Sequence, residues 1–289
     1  MNELISIVLP VYNGEKYIKD SIESILNQTY TSWAVLVLDD CSTDNTAAIV
    51  AEYVKVDNRV KYFKNDCNLK LPRNLNRGFS LAKGPYLTWT SDDNIFHHDA
   101  LEKMLVTITS HADIDFVFAS CNIINEENKI IEYICAPNNY QNVLVGYNCI
   151  GACFMYTRKV YETIGNYDTE FTLVEDYDYW QRALSKFKAI AIPEILYDYR
   201  FHSGALTSTM RQDQFNLTLE KMLLKNVRLF GKLNLQQKYH FYSGLYKCRV
   251  NSNDTKNPYK NKFKFYSFMH FLTFRIPQKI NRFLKKQKV

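Results

Sequence analysis

Two pairs of adjacent aspartates, Asp39-Asp40 and Asp92-Asp93, each follow a short apolar run, at residues 34–38 and 86–90. Two carboxylates held this close repel, and one is pushed toward its neutral form unless a cation or hydrogen bonds intervene. A divalent cation removes the conflict. Hard oxygen ligands suit Mg²⁺ or Mn²⁺, which take one or two carboxylates from a protein and the rest from phosphates and water. Asp92-Asp93 therefore reads as a metal–diphosphate site, against the plainer alternative of a solvated turn with helix-capping duty. A third acidic pair, Glu175-Asp176, opens a segment in which Val174, Tyr177, Trp180, Leu184 and Phe187 have helical spacing. Asp176 stands where a helix N-terminal dipole favours an aspartate, the plain reading of its place. Glu175, Asp178 and Trp180 are candidates for touching an acceptor substrate; solvated helix charge is the alternative for the two acids and core packing for Trp180. His97-His98 fit a helix start better than a metal site, while His202 is a candidate ligand.

The elements that would position these groups alternate. Residues 6–11 are a short apolar run, and 17–26 place Ile18, Ile22, Ile25 and Leu26 on one helical face. A second strand at 34–38 ends at Asp39. Ser42-Thr43-Asp44 then offers N-cap oxygens to a helix carrying Ala47, Ile49, Val50 and Val54. Residues 60–63 read as a third strand, 75–83 as a helix and 86–90 as a fourth strand. Asp99 reads as the cap of the next helix, with Glu102 as its capping-box partner. Strand and helix at this spacing predict an α/β fold with a mainly parallel sheet flanked by helices. In such sheets ligands lie outside the carboxyl ends of the strands, where both aspartate pairs fall. The second half is more mixed, with a strand at 114–124. From about residue 212 the pattern is helical and aromatic.

The 289 residues, 46% of them hydrophobic, are enough for one large α/β domain with a small appendage. We expect residues 1–210 to form the catalytic domain and 211–289 a helical extension. Seven cysteines without metal spacing, and no leader, predict free thiols in a reducing, cytoplasmic setting. No run reaches the roughly 18 apolar residues of a membrane span. The net charge is +6, but residues 255–289 hold ten Lys/Arg and no Asp/Glu, which leaves −4 on the remainder. A body of that charge argues against a nucleic-acid partner. The basic tail is interleaved with Phe263, Phe265, Phe268, Phe271 and Phe274. It is expected either to meet anionic lipid at the inner face of the cell membrane or to pack on the catalytic domain as a helix, and Pro277 would break any single long helix there.

Four motifs occur in order: Leu9-Pro10-Val11-Tyr12-Asn13-Gly14, Asp39-Asp40-Cys41-Ser42-Thr43-Asp44, Asn76-Arg77-Gly78 through Pro85-Tyr86, and Thr90-Ser91-Asp92-Asp93-Asn94. Gly165-Asn166-Tyr167-Asp168, Glu175-Asp176 with Trp180-Gln181-Arg182, and Tyr199-Arg200-Phe201-His202 follow. This constellation resembles the family 2 glycosyltransferases of the GT-A fold, from about residue 4 to 209. The resemblance implies that Asp40 reads the uracil edge of a uridine nucleotide while Asp39 shapes the pocket. Pro10 and Tyr12 would line base and ribose. Asp92 would contact ribose or the metal shell, Asp93 would coordinate the metal, and His202 would complete the metal or diphosphate site. Asp176 would be the catalytic base. The chain departs from the common pattern at Cys41, where glycine is usual, at Thr90, where an aspartate is usual, and at Leu75-Asn76, where Arg-Asn is frequent. Lys70 or Arg73 would supply positive charge near the base or diphosphate instead.

The expectation is an inverting, metal-dependent transfer of one sugar from a nucleotide-diphosphate donor, UDP-sugar favoured, to an acceptor hydroxyl on a glycan or lipid-linked molecule, in bacterial cell-surface glycan synthesis. A sugar-1-phosphate nucleotidyltransferase would need a glycine-rich basic loop after the first strand, and residues 10–14 do not supply it. A processive synthase would want membrane spans and a Gln-x-x-Arg-Trp motif. A non-catalytic nucleotide-sugar or glycan binder is the remaining alternative, opposed by the intact Asp40, Asp92, Asp93 and Asp176.

Overall fold

The computed structural model describes residues 2–209, 211–250, 257–271 and 273. In chain order its elements are β1 (Ile5–Val11), α1 (Ile18–Leu26), β2 (Trp33–Asp39), α2 (Thr46–Val56), β3 (Val60–Lys64), α3 (Leu71–Leu81), β4 (Tyr86–Trp89), β5 (Ile95–Phe96), α4 (Ala100–Thr109), β6 (Phe116–Ile124), β7 (Ile130–Ile134), α5 (Tyr140–Val143), β8 (Phe154–Thr157), α6 (Arg158–Ile164), α7 (Glu175–Leu184), β9 (Ala189–Arg200), α8 (Leu206–Thr209), α9 (Gln212–Asn226), α10 (Leu235–Val250) and α11 (Lys260–His270). They form two compact units, one from residues 1–138 and 150–209, the other from 139–149 and 210–289. Residues 139–149, expected within the first domain, thus group with the helices; Gly146 is the reason they can. A Cβ there would stand 1.9 Å from the His240 carbonyl oxygen, so α10 backbone approaches closer than any side chain permits.

The first unit is built on one sheet in the order β3-β2-β1-β4-β8-β6-β9-β5, with β7 beside β6. β3, β2, β1 and β4 are mutually parallel, as is β6 with β9; the other pairings are antiparallel. Every residue of β1 is buried because both faces of the sheet are covered. Ile5, Ile7, Leu9 and Val11 share a core with Ile18, Ile22 and Ile25 of α1 and Leu101, Met104 and Leu105 of α4. Val8, on the opposite face, meets α3, where a Cβ at Gly78 would lie 2.4 Å from its Cγ1.

Pro10 sits in β1 opposite Leu38 of β2. Along a strand, backbone polar groups alternate between neighbours. Val8 accepts from Thr90 N on the β4 side, at 3.0 Å, and Val11 accepts from Asp40 N on the β2 side, at 2.8 Å. Pro10 therefore turns its missing N–H toward β4, which has already ended at Trp89. The two strands separate there. Since β1 leads to β2 on one side and has β4 on the other, that gap is the switch point of the sheet.

Some expectations change. The proposed capping box at Asp99 is absent: Asp99 pairs with Lys103 at 2.9 Å, and Glu102 accepts from Thr29 Oγ1 at 2.6 Å. β7, β8 and β9 were not legible. β9 contains Pro193, and the β6–β9 register shifts on either side of Ser120 to accommodate an irregular strand. All five residues of β7 are exposed. In the second unit, buried Glu220 accepts from Arg249 Nη2 at 3.1 Å and Tyr259 Oη at 2.5 Å, tying α9 to α10 and to the start of α11. Phe274 and Pro277 lie outside the described residues.

Candidate active site

The turn after β1 and the loop after β2 are clasped together by backbone donors. Asn13 N donates to Ser42 Oγ at 2.9 Å, Gly14 N to Thr46 Oγ1 at 2.9 Å, and Thr43 N to Asn13 Oδ1 at 2.9 Å. Asp44, rather than Ser42 or Thr43, serves the start of α2 by accepting from Thr46 N at 3.0 Å. Asp39 is fully buried and committed internally, one oxygen accepting from Ser42 N at 2.7 Å and the other from the Tyr62 hydroxyl. Burial, and then that bond, push the Tyr62 phenol far above its usual range.

Asp40 organises the next loop. Its Oδ1 accepts from Asn65 Nδ2 and Leu69 N, both at 2.7 Å, and its Oδ2 accepts from Lys70 N at 2.9 Å. A carboxylate offers about four acceptor positions, so three internal bonds leave capacity on Oδ2 for a ligand N–H. Lys70 is held at φ 69°, ψ 158°, a region that strongly favours glycine, by its own bond to Asp40 and by the start of α3. Asn74, 1% exposed, bridges from α3 to Leu38 O at 2.8 Å and accepts from Asn65 Nδ2 at 2.9 Å. Asn65 and Asn74 were missed from sequence. The signal was an asparagine among the apolar positions of a helix, which only a buried partner tolerates.

Asp92 and Asp93 emerge from β4 across the gap from β1. A Cβ on Gly14 would lie 2.2 Å from Asp92 Oδ2, so the β1 turn rests directly on this carboxyl. Burial raises Asp92 to about 8, and the charges of Asp93 and Asp44 add to the shift. Asp93 Oδ2 meets His202 Nε2 at 3.0 Å, while its Oδ1 is buried with no hydrogen-bond partner. An orphaned anionic oxygen beside a second carboxyl is costly unless a cation reaches it. The donor set is all hard oxygen and fits Mg²⁺ or Mn²⁺. Among the described residues no three His, Cys, Asp or Glu side chains surround a common point, so the protein would give such an ion few ligands.

Arg200, 1% exposed, stands in the Tyr199-Arg200-Phe201-His202 motif, and its role becomes visible only in the fold. Its Nε donates to Asp93 O at 2.8 Å, its backbone N to Asn94 Oδ1 at 2.8 Å, and its Nη2 reaches Asp20 at 3.2 Å. The guanidinium lies 4.5 Å from the Tyr17 ring centre. β9 thereby fastens the aspartate tip to α1, and places His202 two residues on.

The third acidic pair begins α7. Leu173, at φ 82°, turns the chain into it. Asp176 is half-buried and accepts from Tyr177 N at 2.6 Å. Glu175 is 4% exposed with an unpartnered Oε2; burial, then the charge of Asp176, raises it to about 8. The connection to the strand tips runs through Tyr167. Its N–H donates to Asn76 Oδ1 at 2.8 Å, and burial, then the neighbouring Tyr179, pushes its phenol well up. Trp180 is corrected: it is completely buried, its ring centroid 4.3 Å from Phe154 and 5.2 Å from Phe116, so no face is left for a sugar. Asp178 is likewise buried and paired with Arg182 at 2.8 Å. His97 pairs with Asp198 at 2.9 Å. Tyr12, 51% exposed, lies at the rim beyond buried Pro10.

Residues 6–165 match the sequence model of Glycosyl transferase family 2. The chain belongs to that family. It is 30% identical to an uncharacterized glycosyltransferase of Haemophilus influenzae over 243 residues, 78% of this chain and 74% of the relative. It is 31% identical over 208 residues to the Escherichia coli UDP-Glc:alpha-D-GlcNAc-diphosphoundecaprenol beta-1,3-glucosyltransferase WfgD, covering 71% of this chain and 80% of that one. Among solved structures, Staphylococcus aureus TarS residues 1–349 in complex with UDP-GlcNAc superposes with a TM-score of 0.69 at 17% identity, covering 87% of this chain and 74% of that one. The mannosyltransferase PcManGT of Pyrobaculum calidifontis, in complex with GDP-Man and Mn²⁺, has a TM-score of 0.65 at 16% identity, covering 99% and 80%. The fold of this family 2 glycosyltransferase is thus GT-A. One departure now has a physical account: Cys41, where glycine is usual, has φ 69°. Glycine occupies that conformation without cost, and any side chain is strained there.

Proposed function

We propose that this glycosyltransferase moves one sugar, with inversion, from a nucleoside diphosphate donor to an acceptor hydroxyl during assembly of a cell-surface glycan, with UDP-sugar as the favoured donor. The observation that carries the reading is the orphaned Asp93 Oδ1 beside the raised Asp92 carboxyl, two strands from Asp40 at the same sheet edge. Parallel neighbours lie about 4.8 Å apart, so two strand spacings separate the tips by roughly 10 Å, a span a nucleoside diphosphate can cover.

Asp40 would accept the N3–H of uracil on Oδ2, with Pro10 and Tyr12 beside base and ribose and Asp39 holding the loop. Lys70 would lend positive charge at the same loop. Asp93, with Asp92 alongside, would hold Mg²⁺ or Mn²⁺, which when bound offsets charge on the departing diphosphate. His202 orients Asp93 through their hydrogen bond, and Arg200 fixes the backbone beneath it. Asp176 would take the acceptor proton as the acceptor oxygen forms its bond to the anomeric carbon. The bond from that carbon to the diphosphate oxygen breaks, its electron pair leaving with the nucleotide. One displacement inverts the centre. Glu175 would stand at the acceptor side as a neutral acid.

The name of WfgD and that of the putative teichuronic acid biosynthesis glycosyltransferase TuaG of Bacillus subtilis support a glycan acceptor, lipid-linked in the first case. The UDP-GlcNAc bound to TarS supports the uridine donor, whereas GDP-Man in PcManGT keeps guanosine in the comparison. The test is donor-dependent stabilisation against heat, UDP versus GDP compounds, with and without Mn²⁺. A larger shift with UDP and metal is expected; a shift with GDP alone, or none with either, overturns the donor assignment.

A further inference from the structure

α11 has two aromatic faces, and only one is used to hold it in place. Phe263 stacks on Tyr246 with centroids 4.6 Å apart, Tyr266 on Tyr242 at 5.2 Å, and His270 on Tyr239 at 4.3 Å. These positions, three and four apart, are one stripe of the helix packed along α10. Phe265 and Phe268 are 58% and 60% exposed. At about 100° per residue they occupy an arc on the other side, with Lys260 and Lys264 along one margin and Lys262 along the other, all exposed. A surface helix that needs only its own packing carries polar residues outward. Here the outward face is phenylalanine with lysine on both margins, inside a stretch of 35 residues, 255–289, that has ten cationic and no acidic side chains.

We propose that this face of α11 is a docking surface for an anionic phospholipid bilayer. The rings would enter the headgroup–acyl boundary while the lysine ammonium groups reach the lipid phosphates. The charge selects the occupant: a second copy of this chain would bring an equally cationic face against it, and a zwitterionic surface would leave the lysines without counter-charge. No helix among the described residues is long and apolar enough to span a membrane, and the attachment proposed is a peripheral one. The inference does not depend on the assignment of donor, metal or base.

The full chain is sedimented with vesicles of phosphatidylcholine alone and of phosphatidylcholine with phosphatidylglycerol. Partition onto the anionic vesicles only is expected, falling with added salt. Phe265→Ser/Phe268→Ser should weaken it at least tenfold, and each Lys→Ser at 260 and 264 about fivefold. Both sets of variants should keep the unfolding temperature and the activity on a water-soluble acceptor, since the stacked face is untouched. Failure to pellet with anionic vesicles, equal partition of the phenylalanine variant, or loss of self-association in that variant without any vesicle binding overturns the proposal.

Discussion

Asp176, Asp93 and Cys41 are each constrained in a different way, and each constraint can be measured. If Asp176 is the base, Asp176→Asn removes proton acceptance while keeping shape; transfer should fall by roughly 10²–10⁴-fold with unchanged unfolding temperature. Asp93→Asn removes one of two crowded charges. It should abolish metal-dependent stabilisation by donor while leaving the metal-free protein at least as heat-resistant, as read in a thermal melt. Cys41→Gly relieves a residue held at φ 69°, and should stabilise by about 0.5–1 kcal/mol in denaturant unfolding. Glu175 gives a pH signature. Its folded value of about 8 lies above the ordinary 4.5, so the folded chain holds the proton more tightly than the unfolded one. The stability so gained is complete below about pH 4.5 and is lost as pH rises toward 8. Glu175→Gln should therefore flatten the decline of stability across that window, on the order of a few kcal/mol at its upper end.

Among the elements, β1 to β4 and their helices were readable from residue order because parallel strands covered on both faces are continuous apolar runs between turn residues. The acidic pairs at their ends needed no structure to be noticed. The elements that escaped were those whose identity depends on partners. β9 carries a proline and an irregular register, and nothing local distinguishes it from a loop. Its Arg200 is a site-building residue only because the strand delivers it under Asp93. Trp180 failed for the same reason in reverse: its spacing fits either a ligand face or a core, and the core of Phe116 and Phe154 decided. The close seat of the β1 turn on Asp92 gives a further expectation. Gly14→Ala would force a methyl to within 2.2 Å of that carboxyl oxygen, so donor-induced stabilisation should be lost at a cost of about 1–3 kcal/mol in the unliganded protein.

At the level of the whole molecule, the proposed donor site lies in the first unit: Asp39, Asp40, Asp92, Asp93 and Asp176 all fall within residues 1–138 or 150–209. Saturating that site at a hundred times its dissociation constant adds about 2.7 kcal/mol, which a melt of the full chain should register as a shift of roughly 4–10 °C. The second unit is held by other means, with buried Glu220 joining three helices and an aromatic ladder joining two. Vesicle attachment and sugar transfer are accordingly expected to be separable by point substitution.

β7 leaves a practical mark on how the protein can be handled. It pairs with β6, and its other edge has no strand partner among the described residues, while Ile130, Ile131, Tyr133 and Ile134 all stand in solvent. An apolar rim of this kind, broken only by Glu132, templates edge-to-edge growth once chains are crowded. Concentrated stocks should cloud on storage from this strand outward, and a lysine at Ile131 should keep them clear.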